Sequence, residues 1–254
     1  AAVPQGLGWT QLTVSTSGAV RAVGKTSDGG TISFSTALWS DGRFPIHTAL
    51  YVNHGSINGA QRITVGGTAP DYSGNRVVSS GLDWQKTGPS STRDRTYKTG
   101  FALIALTSDG SKWIAPPRGT NVLNVADTAA NAKIEFMEGG LATAAQKTSL
   151  LQTFQLTAAN AAKFDPTSNP CKVTLTVSSS TGTFRGTFRL TDPNPSGSAT
   201  PVTRSVTFYG ILLQHTHRGW GWFLLPGMPN PTTSPATTLA NSDILSGQVW
   251  VGIP

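Results

Sequence analysis

A short phrase occurs near both ends of this chain and leads each time into the same series of β-hairpin signals. The first copy covers residues 12–20, LTVSTSGAV, and the second covers residues 175–184, LTVSSSTGTF. In both copies, alternating apolar and polar residues precede a glycine turn and another extended stretch. Such self-similarity is typical of an architecture that uses one supersecondary unit more than once. We therefore expect two related β-meanders with an unlike segment between them.

Residues that favour tight turns divide the first copy into short strands. Ser27-Asp28-Gly29-Gly30 and Asp41-Gly42 supply residues that tolerate positive φ, which tight hairpins require. Replacing both Gly29 and Gly30 by Val is therefore expected to lower the folding stability sharply. In the second copy, Pro-rich loops at 192–201 and 226–235 take the place of short turns.

The sequence predicts an all-β fold of about ten to twelve antiparallel strands in two related meanders. They form a β-barrel or two packed barrel or sandwich units, with at most one or two short helices. The first meander is expected at residues 1–66 and the second at 171–254. The middle segment, 67–170, is expected to pack with both, so that the chain acts as one or two domains. Residues 142–163 fit either a helix or an extended run.

Composition excludes several classes of function. The net charge is +7, but the basic residues are scattered and no nucleic-acid-binding motif accompanies them, so nucleic acid is not an expected partner. The single cysteine, Cys171, allows no intrachain disulfide and no cysteine-based metal site. No stretch approaches about 18 consecutive apolar residues, so no transmembrane segment is expected.

Histidines are the best candidates for a metal site. His215 and His217 are two residues apart, so on an extended strand they would share a face and could bind a divalent ion such as Zn²⁺. His47 could supply a third ligand if the two meanders face each other. The favoured interpretation is that His215 and His217 are polar residues of a hairpin turn, because no acidic partner lies nearby in the sequence. The expected cofactor is therefore none, with a divalent metal as the alternative.

Tryptophans offer a second candidate site. Trp220 and Trp222 would lie on one face of a strand, and Trp250 lies on the terminal strand. Three indoles on one exposed sheet face could stack on the sugar rings of a polysaccharide. The alternative, which we favour, is that these large aromatic side chains fill a core or cap a barrel mouth.

Patterns for catalysis are weak. There is no Gly-x-Ser-x-Gly element between a strand and a helix, and no glycine-rich phosphate loop before a helix. The two glutamates, Glu135 and Glu138, have an odd spacing that would place them on opposite faces of a strand. No catalytic residues are assigned, and an enzymatic activity is not expected.

Several stretches resemble the C-terminal region of very large, β-repeat-rich proteins of environmental bacteria, which are predicted to be secreted or surface-exposed. The resemblance lies in 182–188 (GTFRGTF), 206–214 (VTFYGILLQ), 219–225 (GWGWFLL) with 246–251 (SGQVWV), and 97–101 (YKTGF). The first copy adds a Leu-x-Val strand, an Asp-Gly turn, Gly-x-Phe-Pro and Leu-Tyr. The resemblance implies an extracellular or cell-surface location and β modules within a longer polypeptide. It implies no catalytic residues.

The expected function is that of a non-catalytic extracellular β module of a larger bacterial surface or secreted protein, with a structural, adhesive or polymer-binding role. Its expected partners are neighbouring domains, other surface proteins or a polysaccharide. Two alternatives stay open: a carbohydrate-binding module that uses exposed tryptophans, and a secreted metal-dependent enzyme that uses His215 and His217.

Overall fold

The computed structural model describes residues 3–66, 76–146 and 150–254. Sixteen strands lie in this part of the chain, and every strand pairs with its neighbours in an antiparallel manner. The all-β prediction is therefore confirmed. The strands outnumber the ten to twelve expected, because some are too short to show alternation in the sequence: β8 has three residues and β11 has two.

The first eight strands follow one another as a meander. They are β1 (Trp9–Val14), β2 (Ala19–Lys25), β3 (Thr31–Ala37), β4 (Arg43–Leu50), β5 (Gly55–Thr64), β6 (Arg76–Lys86), β7 (Phe101–Leu106) and β8 (Asp109–Ser111). β1–β3 form one sheet, and β4–β7 form a second sheet in which β8 also pairs with β6. The inner faces of both sheets share one hydrophobic cluster. Among the described strands, no strand of one sheet pairs with a strand of the other, so the unit is not a closed barrel. We call this pair of facing sheets the first barrel.

The remaining strands form one eight-stranded sheet, the second barrel. They are β9 (Ala132–Glu138), β10 (Leu151–Leu156), β11 (Ala162–Lys163), β12 (Thr174–Val177), β13 (Thr183–Asp192), β14 (Val202–Leu213), β15 (Arg218–Pro226) and β16 (Ile244–Gly252). The strand order is β11-β10-β9-β16-β15-β14-β13-β12. A bridge between Ala161 and Thr176 brings the two edges together and nearly closes the sheet.

The repeated phrase forms the same kind of hairpin in both barrels. In the first copy, Val14 of β1 lies opposite Val20 of β2. In the second copy, Val177 of β12 lies opposite Phe184 of β13. Each hairpin opens its meander, which is why the phrase recurs.

The helical alternative for residues 142–163 is wrong. A single 3₁₀ turn spans Leu141–Thr143, and the segment continues as β10 and β11, while residues 147–149 lie outside the described residues. Along β10, every second side chain is buried, so Phe154 and Leu156 point into the second barrel. Burial with a period of two outweighs the helix propensity of the Ala- and Gln-rich composition.

Within the described residues, no helix has the length and apolar character needed to cross a membrane.

Candidate functional site

The first barrel contains a cavity of about 1230 Å³ that its own side chains leave unfilled. A barrel of about eight strands is wide enough either to be filled by side chains or to hold one small ligand. In the second barrel, bulky residues such as Phe136 and Phe208 fill the interior. In the first barrel, inward positions include Gly24 and Gly59, which contribute no side-chain volume. The interior of the first barrel is therefore less completely filled by side chains than that of the second.

The wall of the cavity is apolar because inward and outward positions alternate along each strand. On β5, Ile57 and Ile63 line the cavity, whereas Arg62 is exposed on the outer face. On β7, Ile104 and Leu106 line it and are only half-buried. Apolar side chains that face one shared space without filling it are characteristic of a small-molecule site.

The second barrel supplies part of the same wall. Ile211 and Leu213 of β14, Trp220 of β15 and Gln248 of β16 all line the cavity. These residues lie on the outer face of the second barrel, because their neighbours along the strands point into its core. The cavity therefore lies at the junction of the two barrels, a common location for ligand sites.

Polar side chains seal one end of the first barrel. The Tyr51 hydroxyl donates a hydrogen bond to Asp28 Oδ2 at 2.7 Å, and Trp84 Nε1 donates one to the Tyr51 oxygen at 3.0 Å. Burial, followed by the nearby Asp28 carboxylate, raises the pKa of Tyr51, so the phenol stays neutral at physiological pH. Beside it, Lys86 Nζ donates to Asp94 Oδ2 at 2.9 Å. Lys86 and Asp94 are thus paired with each other. The buried Asp28 carboxylate instead accepts hydrogen bonds from neutral groups, the hydroxyls of Tyr51 and Thr26 and the N–H of Gly30.

At the opposite end of the first barrel, the described residues include exposed side chains. Val14 lines the cavity and is 41% exposed, and Leu38 lines it from the turn between β3 and β4. Charged side chains at this end form ion pairs with each other, as Arg43 does with Asp41 and Arg76 does with Asp109.

The structure does not bring the three candidate metal ligands together. His215 Nε2 lies 3.1 Å from Asp109 Oδ2, His217 Nδ1 donates to the Leu123 carbonyl at 3.1 Å, and His47 Nδ1 contacts Asn58 Oδ1 at 2.6 Å. His215 belongs to a 3₁₀ turn, Gln214–Thr216, and His217 has a positive φ, so the two do not share the face of an extended strand. Residues 3–66, 76–146 and 150–254 contain no group of three His, Cys, Asp or Glu side chains arranged to hold a metal ion.

The three candidate tryptophans lie on the outer face of the second barrel. Trp222 and Trp250 are only 5% and 8% exposed. Trp222 packs against Tyr209, with ring centroids 5.3 Å apart, and Lys133 Nζ lies 5.0 Å from the Trp250 ring centroid. Trp220 is half-buried and is the one of the three that lines the cavity. Two of the indoles are therefore covered by the protein itself.

Two polar residues of the cavity wall, Thr48 and Gln61, had no place in the sequence-based hypotheses. Both are buried, at 6% and 7% exposure, and both line the cavity. Their signal in the sequence is a polar side chain at an inward position, next to Ile46 on β4 and next to Ile63 on β5. Which positions point inward can be recognised only once the register of the strands is known.

Comparison with protein-family models, with curated proteins and with solved structures finds no match to this chain.

Proposed function

We propose that this chain is a non-catalytic binding module whose first barrel holds one uncharged, predominantly apolar small molecule. The observation that carries the proposal is the cavity of about 1230 Å³ between the barrels, with its aliphatic and aromatic wall. Its volume lies at or above the usual range of ligand pockets, about 300–1,000 Å³. A cavity of this size accommodates a molecule of a few tens of non-hydrogen atoms.

Burial of apolar surface supplies the affinity in this proposal. Leu12, Phe34, Ile63, Ile104 and Leu106 face the cavity and keep part of their surface exposed. A ligand that covers this surface would remove it from water, at about 25 cal/mol per Å² of apolar area before the costs of association. An ionic ligand would leave water for a wall whose charged side chains, among the described lining residues, lie in one place, Asp109 and Lys112, where Asp109 already pairs with Arg76.

The test is a titration with N-phenyl-1-naphthylamine, an uncharged fluorophore whose emission rises in apolar surroundings. The wild-type protein is expected to give saturable binding at one probe per chain. In Ile104→Trp, the larger side chain occupies part of the cavity, and binding should weaken about tenfold or more. Thermal unfolding of each variant shows whether it is folded under the conditions of the titration.

The neighbouring residue Leu103 provides a matched control. It lies on the same strand but on the outer face, where it is 59% exposed. Leu103→Trp adds the same indole outside the barrel and should change probe affinity by no more than about twofold. Absence of saturable binding by the wild type, or equal weakening by both substitutions, would contradict the proposal.

The setting of this module is also a proposal. The resemblance to large β-repeat surface proteins supports a location outside the cell and partners within a longer chain. A structural, adhesive or polymer-binding role of the whole polypeptide is compatible with a small-molecule site in one module. Immunodetection of the natural protein in culture supernatant and on intact cells would test the location, and retention inside the cell would contradict it.

A further inference from the structure

We infer that Gln61 selects ligands that carry an uncharged hydrogen-bonding group. This inference rests on the proposed function, since it concerns the same cavity. The ligand class it names is an apolar molecule with a carbonyl or hydroxyl group, rather than a pure hydrocarbon or an ion. The primary amide of Gln61 can donate to a carbonyl oxygen and accept from a hydroxyl.

The position of Gln61 on β5 fixes its direction. Gly59, Gln61 and Ile63 alternate on the inner face, and Gln61 lies opposite Phe44 of β4 and Ser79 of β6. Its side chain is 7% exposed and lines the cavity. An amide therefore occupies a place in the wall where the neighbouring inward residue, Ile63, is aliphatic.

The Gln61 amide forms no hydrogen bond with any described residue, whereas other glutamines of the chain have partners. Gln214 donates to and accepts from the backbone of Ile114, and Gln5 donates to Glu138. The Gln61 amide is not among the polar atoms that the protein covers completely, so it faces the space of the cavity and is available to a ligand there. A ligand with a carbonyl or hydroxyl group would supply the missing partner.

Other polar groups of the wall differ from Gln61 in burial or position. Gln248 of β16 also lines the cavity without a side-chain hydrogen bond to a described residue, but it is half-buried and belongs to the second barrel. The Trp9 indole N–H and the Ser108 hydroxyl lack partners among the described residues, but both atoms are covered by protein. Thr48 faces the cavity opposite Ile57, four residues along β5 from Gln61, or about 13 Å at the rise of a strand. One polar group of a ligand cannot reach both Thr48 and Gln61.

Charge in the lining is confined to one place. Asp109 and Lys112 lie in β8 or immediately after it, and Asp109 pairs with Arg76 and His215. The wall around Gln61 carries no charged side chain among the described lining residues. A neutral hydrogen-bonding group therefore matches this wall better than a carboxylate or an ammonium.

The experiment compares three competitors that share one carbon chain: undecan-2-one, undecan-2-ol and undecane. Each displaces N-phenyl-1-naphthylamine from the wild type and from Gln61→Leu and Gln61→Met, two variants that keep the bulk of the side chain but not the amide. The preference for ketone or alcohol over undecane is expected to fall about tenfold in both variants. Gln85→Leu, on the outer side of β6, should keep the wild-type preference.

The outcomes separate the two proposals. If the probe binds and all three competitors displace it with the same relative preference in wild type and Gln61 variants, the role of Gln61 is refuted while the cavity site stands. If the wild type binds neither probe nor competitors, the proposed function itself fails. Gln61→Leu and Gln61→Met remove an unpartnered group, so their melting temperatures should match or exceed that of the wild type.

Discussion

Phenylalanines in the second barrel are accommodated by glycines on the neighbouring strands. Cross-strand partners inside this barrel include Phe184 with Gly210, Phe208 with Gly186, and Phe223 with Gly247. A Cβ added at any of these glycines would collide with the ring of its partner. The glycines are therefore required by packing.

Gly247→Ala tests this packing directly. The added methyl group would overlap the Phe223 ring, which is fully buried and cannot move aside cheaply. We expect a loss of about 1–3 kcal/mol in the free energy of unfolding, measured by urea denaturation. Gly88→Ala is the control, because a Cβ there meets nothing within 4 Å. Equal effects of the two substitutions would refute the packing explanation.

The ion pair between Lys86 and Asp94 predicts a pH dependence of stability. Burial opposes ionisation of Asp94, but hydrogen bonds from the Ser90 backbone and Lys86 outweigh it and lower the pKa of this carboxyl. Because the pKa of Asp94 is lower in the folded state than in the unfolded state, its ionised form stabilises the folded protein. This contribution is fully present above pH 3.8, the ordinary value, and is lost as the pH falls through the lowered pKa.

Asp94→Asn should therefore destabilise the protein by about 3 kcal/mol at pH 7, because it leaves the buried Lys86 without its counter-charge. The difference between wild type and variant should shrink as the pH falls below about 4. Urea denaturation of both proteins from pH 7 to pH 2.5 measures this difference. A difference that stays constant over the range would show that ionisation of Asp94 contributes nothing.

Three hairpins of the first barrel share one turn design. The turns are the five-residue segments 15–19, 26–30 and 39–43. In each segment, the N–H of the first residue donates to the carbonyl of the fifth residue, and the N–H of the fourth residue donates to the carbonyl of the first. The fourth residue is a glycine with positive φ in each: Gly18, Gly29 and Gly42. This is the geometry of a short hairpin loop that ends in a left-handed residue.

In the turn between β2 and β3, the sequence-based expectation of positive φ is correct for Gly29 and wrong for Gly30. Gly29 has a φ of +91°, as expected, but Gly30 does not adopt a positive φ. Gly30 is constrained by space instead, because an added Cβ would lie 2.6 Å from Thr26 Oγ1. In this turn, a positive φ therefore requires glycine only at position 29.

Gly29→Val should lower the stability by about 2–3 kcal/mol, because a β-branched residue is strained at positive φ. Gly29→Asn should cost less, since asparagine tolerates the left-handed region. Thermal unfolding of the two variants gives the comparison. If Val is tolerated as well as Asn, the turn does not hold this conformation in solution.

The elements were more predictable than the site. Alternation in β2 and β4 and the Asp-Gly turn at 41–42 are local signals, so strands and hairpins could be predicted from them. The cavity depends on the sum of side-chain volumes across strands far apart in sequence. Ile46 and Ile57 show the same alternation whether they fill a core or line a void, and only the register shows that Gly59 lies between Ile46 and Leu82.

The two barrels are joined by buried hydrogen bonds rather than by a loose linker. Ser246 of β16 is fully buried, and its hydroxyl donates a hydrogen bond to the Ser27 carbonyl at 2.5 Å. The backbone N–H of Ser246 donates a second hydrogen bond, to the Tyr97 hydroxyl oxygen at 3.1 Å. Arg95 donates to the carbonyls of Ser242 and Leu239 at 2.6 and 2.7 Å. This junction fixes the wall that the second barrel contributes to the cavity.

The most direct test of a ligand site between the barrels is a methyl NMR titration with undecan-2-one on protein labelled at isoleucine. Chemical shifts should change at the isoleucines that line the cavity, namely Ile32, Ile46, Ile57, Ile63, Ile104 and Ile211. Ile134, in the core of the second barrel, should stay unchanged. Absence of any change at saturating ligand, or changes confined to isoleucines outside the cavity, would contradict the existence of this site.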